Sequence, residues 1–228
     1  MRARQGRSHL RIARPAAGLV AVCLSTAALP ARVVAGEPAG RWVSLGVLAG
    51  ATLHDPGLSD YQWRTTPRAG AGAEALLGTG RARAGLRLWT TATAQTIGVP
   101  DPSSTTTVHE TTLELVAGGR AAAWRGTEIV PGLSAGWLHL GFDPDRVSVP
   151  TGGGSSDVTF RPINEWVAGA SLRFERTLAA RWRAGLDLEH RVFALDTAHR
   201  SGSAVVQGRE VFGDWSARLS LARRADLR

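Results

Sequence analysis

Apolar and polar residues alternate at period two along most of this chain, most clearly between positions 165 and 194. Trp166, Ala168, Ala170, Leu172 and Phe174 fall on one side of an extended strand, and Glu165, Gly169, Ser171, Arg173 and Glu175 fall on the other. After a short connection at 176–181 the pattern resumes. Trp182, Ala184, Leu186 and Leu188 share one face, opposite Arg183, Gly185, Asp187, Glu189 and Arg191. The pair reads as a hairpin with a greasy face and a charged face. In a soluble sandwich the greasy face would be the core. In an outer-membrane barrel it would meet lipid, and the charges would line the lumen.

The same pattern recurs from residue 41 onward. A first strand spans 41–53, with Val43, Leu45, Val47, Ala49, Ala51 and Leu53 separated by Ser44, Gly46 and Gly50. A weak second strand sets Ala69, Ala71, Ala73, Ala75 and Leu77 against Gly70, Gly72, Glu74 and Leu76. The third opposes Ala82, Ala84, Leu86 and Leu88 to Arg83, Gly85, Arg87 and Trp89. A fourth is predicted over 108–124, with Leu113, Leu115 and Ala117 against Glu110, Glu114, Val116 and Arg120. A fifth covers 129–142, and both of its faces are nearly apolar. The last, 209–222, alternates Val211, Trp215, Ala217, Leu219 and Leu221 with Phe212, Asp214, Ser216, Arg218 and Ser220. The connections 54–67, 98–107, 143–158 and 195–208 are long and polar, rich in Gly, Pro, Ser and Thr, and the intervening ones are short. Eight strands joined alternately by short turns and long loops predict an all-β, up-and-down antiparallel transmembrane barrel.

Composition alters this picture at one place. The 228 residues carry a formal charge of +8, and every one of the 27 basic residues is arginine. Six of them, Arg2, Arg4, Arg7, Arg11, Arg14 and Arg32, lie in the first 36 residues, which contain no acid. An arginine-rich start, an apolar run over 16–29 and small residues up to Ala35 read as a cleavable secretory signal, 1–36, ahead of a barrel at 37–228. The remainder is close to neutral, which argues against a nucleic-acid partner. Cys23, the one cysteine, falls within the leader, so no disulfide, thiolate-bound metal or cysteine nucleophile is expected in the mature chain.

Charges enclosed in a narrow barrel must be paired. The proposed lumen positions hold Glu74, Glu110, Glu114, Glu165, Glu175, Asp187, Glu189 and Asp214 against Arg83, Arg87, Arg120, Arg173, Arg183, Arg191 and Arg218. That near-balance predicts an internal ion network. Gly70, Gly72, Gly85, Gly132, Gly136, Gly169 and Gly185 among the inward positions leave room for long arginines. Trp42, Trp124, Trp166, Trp182 and Trp215 stand near strand ends, where interfacial aromatics belong.

Leader, alternating strands and a small-plus-charged interior resemble the small outer-membrane β-barrels of the OmpA-like superfamily, over residues 41–222. The resemblance implies a Gram-negative outer-membrane location. It also implies lipid and lipopolysaccharide surroundings, delivery by the outer-membrane insertion machinery, and a monomer with a largely filled, porin-like shell. Such barrels close on a terminal aromatic, whereas this chain ends in a short tail after residue 222.

No cofactor, metal site or enzymatic activity is expected. His109 beside Glu110, with Ser103 or Ser104, offers a base, an acid and a hydroxyl of a lipid-modifying enzyme, but no glycine elbow frames either serine. His54 and His199 are two dispersed ligands, and the Asp143 to Arg146 stretch lacks calcium-loop spacing. The remaining alternative is a soluble exported barrel with leucine and tryptophan turned inward around a small apolar ligand.

Overall fold

The computed structural model describes residues 40–98, 103–151, 153–201 and 204–227. The expected leader and Cys23 lie outside the described residues. Eight strands follow one another around a closed antiparallel ring: β1 (Arg41–Leu53), β2 (Arg68–Thr79), β3 (Ala82–Ile97), β4 (Ser104–Gly119), β6 (Thr127–Asp143), β9 (Ile163–Ala179), β10 (Trp182–Ser201) and β11 (Ala204–Leu227). Each pairs with its neighbour in the chain, and β11 pairs with β1 to close the ring. Three short strands lie outside it: β5 (Ala122–Trp124), β7 (Arg146–Thr151) and β8 (Gly154–Thr159).

The register fixes the slant. Paired positions lead from Val43 through Leu77, Ala84, Ala117, Leu133, Ala170, His190 and Trp215 back to β1 at Leu53, ten residues beyond the start. With ordinary strand spacings, that stagger tilts eight strands by about 40° and lifts the path by about 25 Å along the axis. Every residue on the path faces outward. A band of about this height is what a bilayer core requires of a spanning barrel.

Pleating then sorts the side chains. Leu45, Val47, Leu115 and Leu219 are more than 60% exposed on the outside, while Arg87, Arg191 and Arg218 are at most 2% exposed on the inside. This arrangement overturns the soluble alternative with its leucines turned inward. It also resolves strand five, now β6. Leu133, Ala135 and Trp137 face out, and Val130, Ser134, Leu138 and Leu140 face in.

Several expected boundaries move because pairing outruns composition. β3 and β4 pair as far as Ile97 with Ser104, so residues 104–107 of the predicted loop 98–107 are strand. Its threonines are β-branched and suit a pleat, although they read as loop residues. The predicted loop 195–208 is likewise an extension of the β10/β11 hairpin, paired as far as Ser201 with Ala204. Residues 143–158, expected to be a flexible loop, fold largely into the β7/β8 hairpin, with Val147 buried. The predicted strand 108–124 breaks at Gly118-Gly119, where no side chain holds the pleat, and Ala122–Trp124 folds back on the start of β6. The expected tail after residue 222 belongs to β11 and pairs with β1 out to Leu227 opposite Arg41.

Trp89 fills the middle of the barrel. Its indole N–H donates to Thr52 Oγ1 at 3.2 Å, and the Arg218 guanidinium lies 4.9 Å from the ring centre. Gly70 and Gly72 on β2 make the space for it. A Cβ on Gly70 would stand 2.4 Å from the ring and 2.7 Å from the Thr90 carbonyl. Gly70→Val is therefore expected to cost about 1–3 kcal/mol of stability by overpacking. Urea unfolding in detergent micelles measures it, and a loss below 0.5 kcal/mol (about the noise of surface substitutions) would contradict this account.

Candidate functional site

The inward positions form two tiers. Toward the short-turn end lies an ionic tier. Arg173 on β9 clasps Glu74 on β2 with two bonds of 2.6 Å and reaches Asp187 at 3.2 Å. Arg87 donates to Glu114 at 3.1 Å and to Asp187 and Glu189 at 2.8 Å each. Arg218 bonds Glu189, which also accepts from Ser134 at 2.7 Å. Arg191 donates through Nε and Nη2 to Asp214 and through Nη2 to Glu110 at 2.6 Å, with Thr112 completing its set. Nearer the turns, Arg83 and Arg183 share Glu175, and Arg183 and Arg120 share Glu128. Planar guanidinium forks suit such bridging, since each presents several donors in fixed directions.

Thirteen of the expected lumen residues therefore stand inside and in contact with one another, Glu74, Arg83, Arg87, Glu110, Glu114, Arg173, Glu175, Arg183, Asp187, Glu189, Arg191, Asp214 and Arg218, and Arg120 joins them through Glu128 near the turns. Glu165 is placed differently. It pairs with the exposed Arg209 at the loop rim, away from the deep network. Glu128, read as a turn residue, joins the network because β6 begins before it.

The upper tier is apolar. Leu58, Trp63, Val108, Leu138, Leu140, Val167, Phe193, Leu195 and Phe212 form one buried cluster between the ions and the loop end. Loop 54–67 closes it from above. A 3-10 turn, Pro56–Tyr61, opens with Asp55 accepting from the Gly57 N–H at 2.7 Å, and Asp55 also accepts from the Gly213 N–H at 2.8 Å. Tyr61 donates to Glu210 at 2.6 Å; burial, followed by that carboxylate, holds its phenol above the ordinary tyrosine pKa. The segment beyond lies along β3, with Arg64 N–H donating to the Ala94 carbonyl. Expected as a surface loop, 54–67 is a cap with Leu58 and His54 fully buried.

His54 stands where the tiers meet, its Nε2 3.1 Å from Glu110 Oε2. The sequence held a signal for this placement. Thr52 faces inward, and residue 54 keeps its parity. His109 is exposed on the outside while Glu110 lies inside, so the pleat separates the base from its supposed acid. Ser104 donates to the Ser148 carbonyl in the loop region, and Ser103 is exposed near it. His199 has no described side chain, and among the described residues no three His, Cys, Asp or Glu cluster as a metal site.

Trp166, Trp215 and Trp137 lie outside at the upper edge of the apolar band, and Trp182 lies at the lower edge. Trp137 and Trp166 meet edge-on at 5.4 Å. Trp42, expected among these interfacial rings, instead faces inward over Gly78, with Arg224 stacked 4.5 Å away. No helix among the described residues is long and apolar enough to cross a membrane, a test that says nothing of strands. A closed ring leaves no unpaired backbone edge facing lipid. With its apolar outer band and paired inner charges, the chain is a transmembrane β-barrel of the outer-membrane type.

No protein-family model matches the chain, and no curated protein matches it. Solved structures to which it is similar include Neisserial surface protein A, at 13% identity and TM-score 0.44, covering 84% of this chain and 100% of that one. The outer-membrane protein AlkL, solved in lipid bilayers, matches at 13% identity and TM-score 0.48 over 85% and 93% of the two chains. OprG from Pseudomonas aeruginosa matches at 10% identity and TM-score 0.49 over 84% and 99%.

Proposed function

We propose that this protein is a monomeric outer-membrane barrel with a closed lumen, serving as a structural or surface-interaction protein through its loop end. The observation that carries the reading is the filled cross-section. Arg87, Arg191 and Arg218 are buried and each bonds at least one carboxylate, and the apolar tier and loop 54–67 sit above them. An eight-stranded barrel holds little more than its own side chains, so a filled one conducts little. The β7/β8 hairpin and the extended β10/β11 hairpin are the surfaces offered outward. Lipid and lipopolysaccharide are the surroundings this reading assigns, with the insertion machinery as the route there. Catalysis is not part of the reading, because His109 and Glu110 point to opposite sides of the wall.

Planar-bilayer recording tests it. The purified full chain is expected to fold with heat-modifiable gel mobility and to show no stepwise conductance. Reproducible open-channel steps would overturn the closed lumen, and recovery from the soluble periplasm without detergent would overturn the membrane location.

A further inference from the structure

The ion network leaves a second set of arginines outside it, at the short-turn end of the barrel. Arg41, Arg81, Arg125, Arg176, Arg181 and Arg223 are all exposed there and have no ion-pair partner among the described residues. The acids of that end are already engaged: Glu128 and Glu175 with Arg83, Arg120 and Arg183, and Asp226 with Arg224. At the opposite end Arg64, Arg68, Arg146 and Arg161 also have no ion-pair partner among the described residues, but Asp55, Asp60, Asp143, Asp145, Asp157 and Asp196 outnumber them, so the bias there is reversed. Charge is thus sorted along the barrel axis, although the mature chain is nearly neutral overall.

Placement gives the sorting a direction. Arg41, Arg176 and Arg223 project outward from strands at the lower edge of the apolar band. Trp182 stands opposite Arg223 in the β10/β11 pairing, and Leu227 opposite Arg41 in the β1/β11 pairing; both are outward and exposed. Trp124 and Leu178 are exposed at the same end. An arginine bordered by tryptophan and leucine lays its stem along hydrocarbon and holds its guanidinium at the depth of lipid headgroups. Arg81, Arg125 and Arg181 lie just below, on the turns. Two of these turns are tied down: the Arg81 carbonyl accepts from the Arg120 N–H at 2.9 Å, and the Arg181 carbonyl accepts from the Arg224 N–H at 2.8 Å. Backbone so fixed leaves only the side chains of these arginines to be ordered on binding.

We propose that this arginine belt is a binding surface for the phosphate headgroups of anionic phospholipids in the leaflet at the turn end. The proposal rests on the membrane-barrel reading above and deepens it. Charge complementarity selects the phosphate, and continuity with the lipid-facing band selects a lipid over a soluble anion.

The test compares the full chain with the variant R41Q/R176Q/R223Q, each reconstituted in phosphatidylcholine vesicles doped with spin-labelled phosphatidylglycerol or spin-labelled phosphatidylcholine. Electron spin resonance reads the relative association of the two lipids. The unaltered chain is expected to prefer phosphatidylglycerol by about fivefold or more, the worth of one arginine at an anionic surface. The variant should fall toward equal association, and a control altered at the loop end, R146Q/R161Q, should keep the preference. Equal association in the unaltered chain would overturn the proposal, as would an undiminished preference in the folded triple variant. Displacement of the labelled lipid by soluble glycerol phosphate would also overturn it. Heat-modifiable mobility is checked in every sample. A chain that does not fold in either vesicle loses the membrane-barrel reading itself, which is a different failure from a folded chain without lipid preference.

Discussion

Arg191→Leu is expected to cost the barrel about 3–5 kcal/mol of folding stability, the range for removing one partner of a buried ion pair. Leucine fills part of the space, so the penalty is mainly electrostatic. Glu110 and Asp214, both bonded to Arg191 in the native state, would face each other in a dry interior without their shared cation. Glu114, 3.9 Å from Arg191, is a third carboxylate beside the gap, and Thr112 and His54 are the other polar groups there. The triple variant Arg191→Leu, Glu110→Gln, Asp214→Asn should recover a large part of the loss by removing the stranded charges. This non-additivity separates the ion network from simple packing. Urea titration of refolding in detergent micelles reads both values. A loss under 1 kcal/mol for the single variant, well below the range for a buried pair, would show that the interior is wetter than the packing implies.

The second large effect comes from the opposite face. Leu219 projects outward about 12 Å above Val43, close to the middle of the apolar band, by the strand spacing and tilt derived from the register. Leu219→Arg should therefore cost about 2–4 kcal/mol in lipid vesicles, and Leu53→Arg at the upper edge about 0–1 kcal/mol. A depth-dependent penalty is a signature of hydrocarbon. On a water-facing sheet both substitutions would be nearly neutral, so equal small effects in a vesicle folding titration would contradict the spanning orientation.

The alternation of Ala, Leu and Trp with Arg, Glu and Gly was enough to predict strand number, order, facing and most of the lumen residues. A period-two pattern states directly which neighbours share a face. It failed where a strand carried no contrast. β6 is apolar on both sides because its inner face serves the upper tier instead of the ion network, so Leu138 and Leu140 could not be told from lipid-facing leucines. Thr105, Thr107, Thr197 and their neighbours were read as loop because polar composition hides a strand that extends beyond the membrane. Glu165 has the right parity but the wrong height, and parity carries no information about depth. Trp42 shows the same ambiguity for an aromatic, which serves equally well as an interfacial ring or as packing over Gly78.

Local pattern alone therefore determined the strands and their two faces, one apolar and one charged, since each strand needs only its own residues to declare them; which face looks outward was decided by closure of the ring. Which carboxylate meets which arginine was decided by tertiary structure. Glu74 and Arg173, or Arg87 and Glu189, are about a hundred residues apart and meet only across the lumen. Tertiary structure also decided that loop 54–67 turns inward as a cap and that arginines outnumber acids at the turn end. Both depend on stagger and closure around the ring, which no single strand encodes.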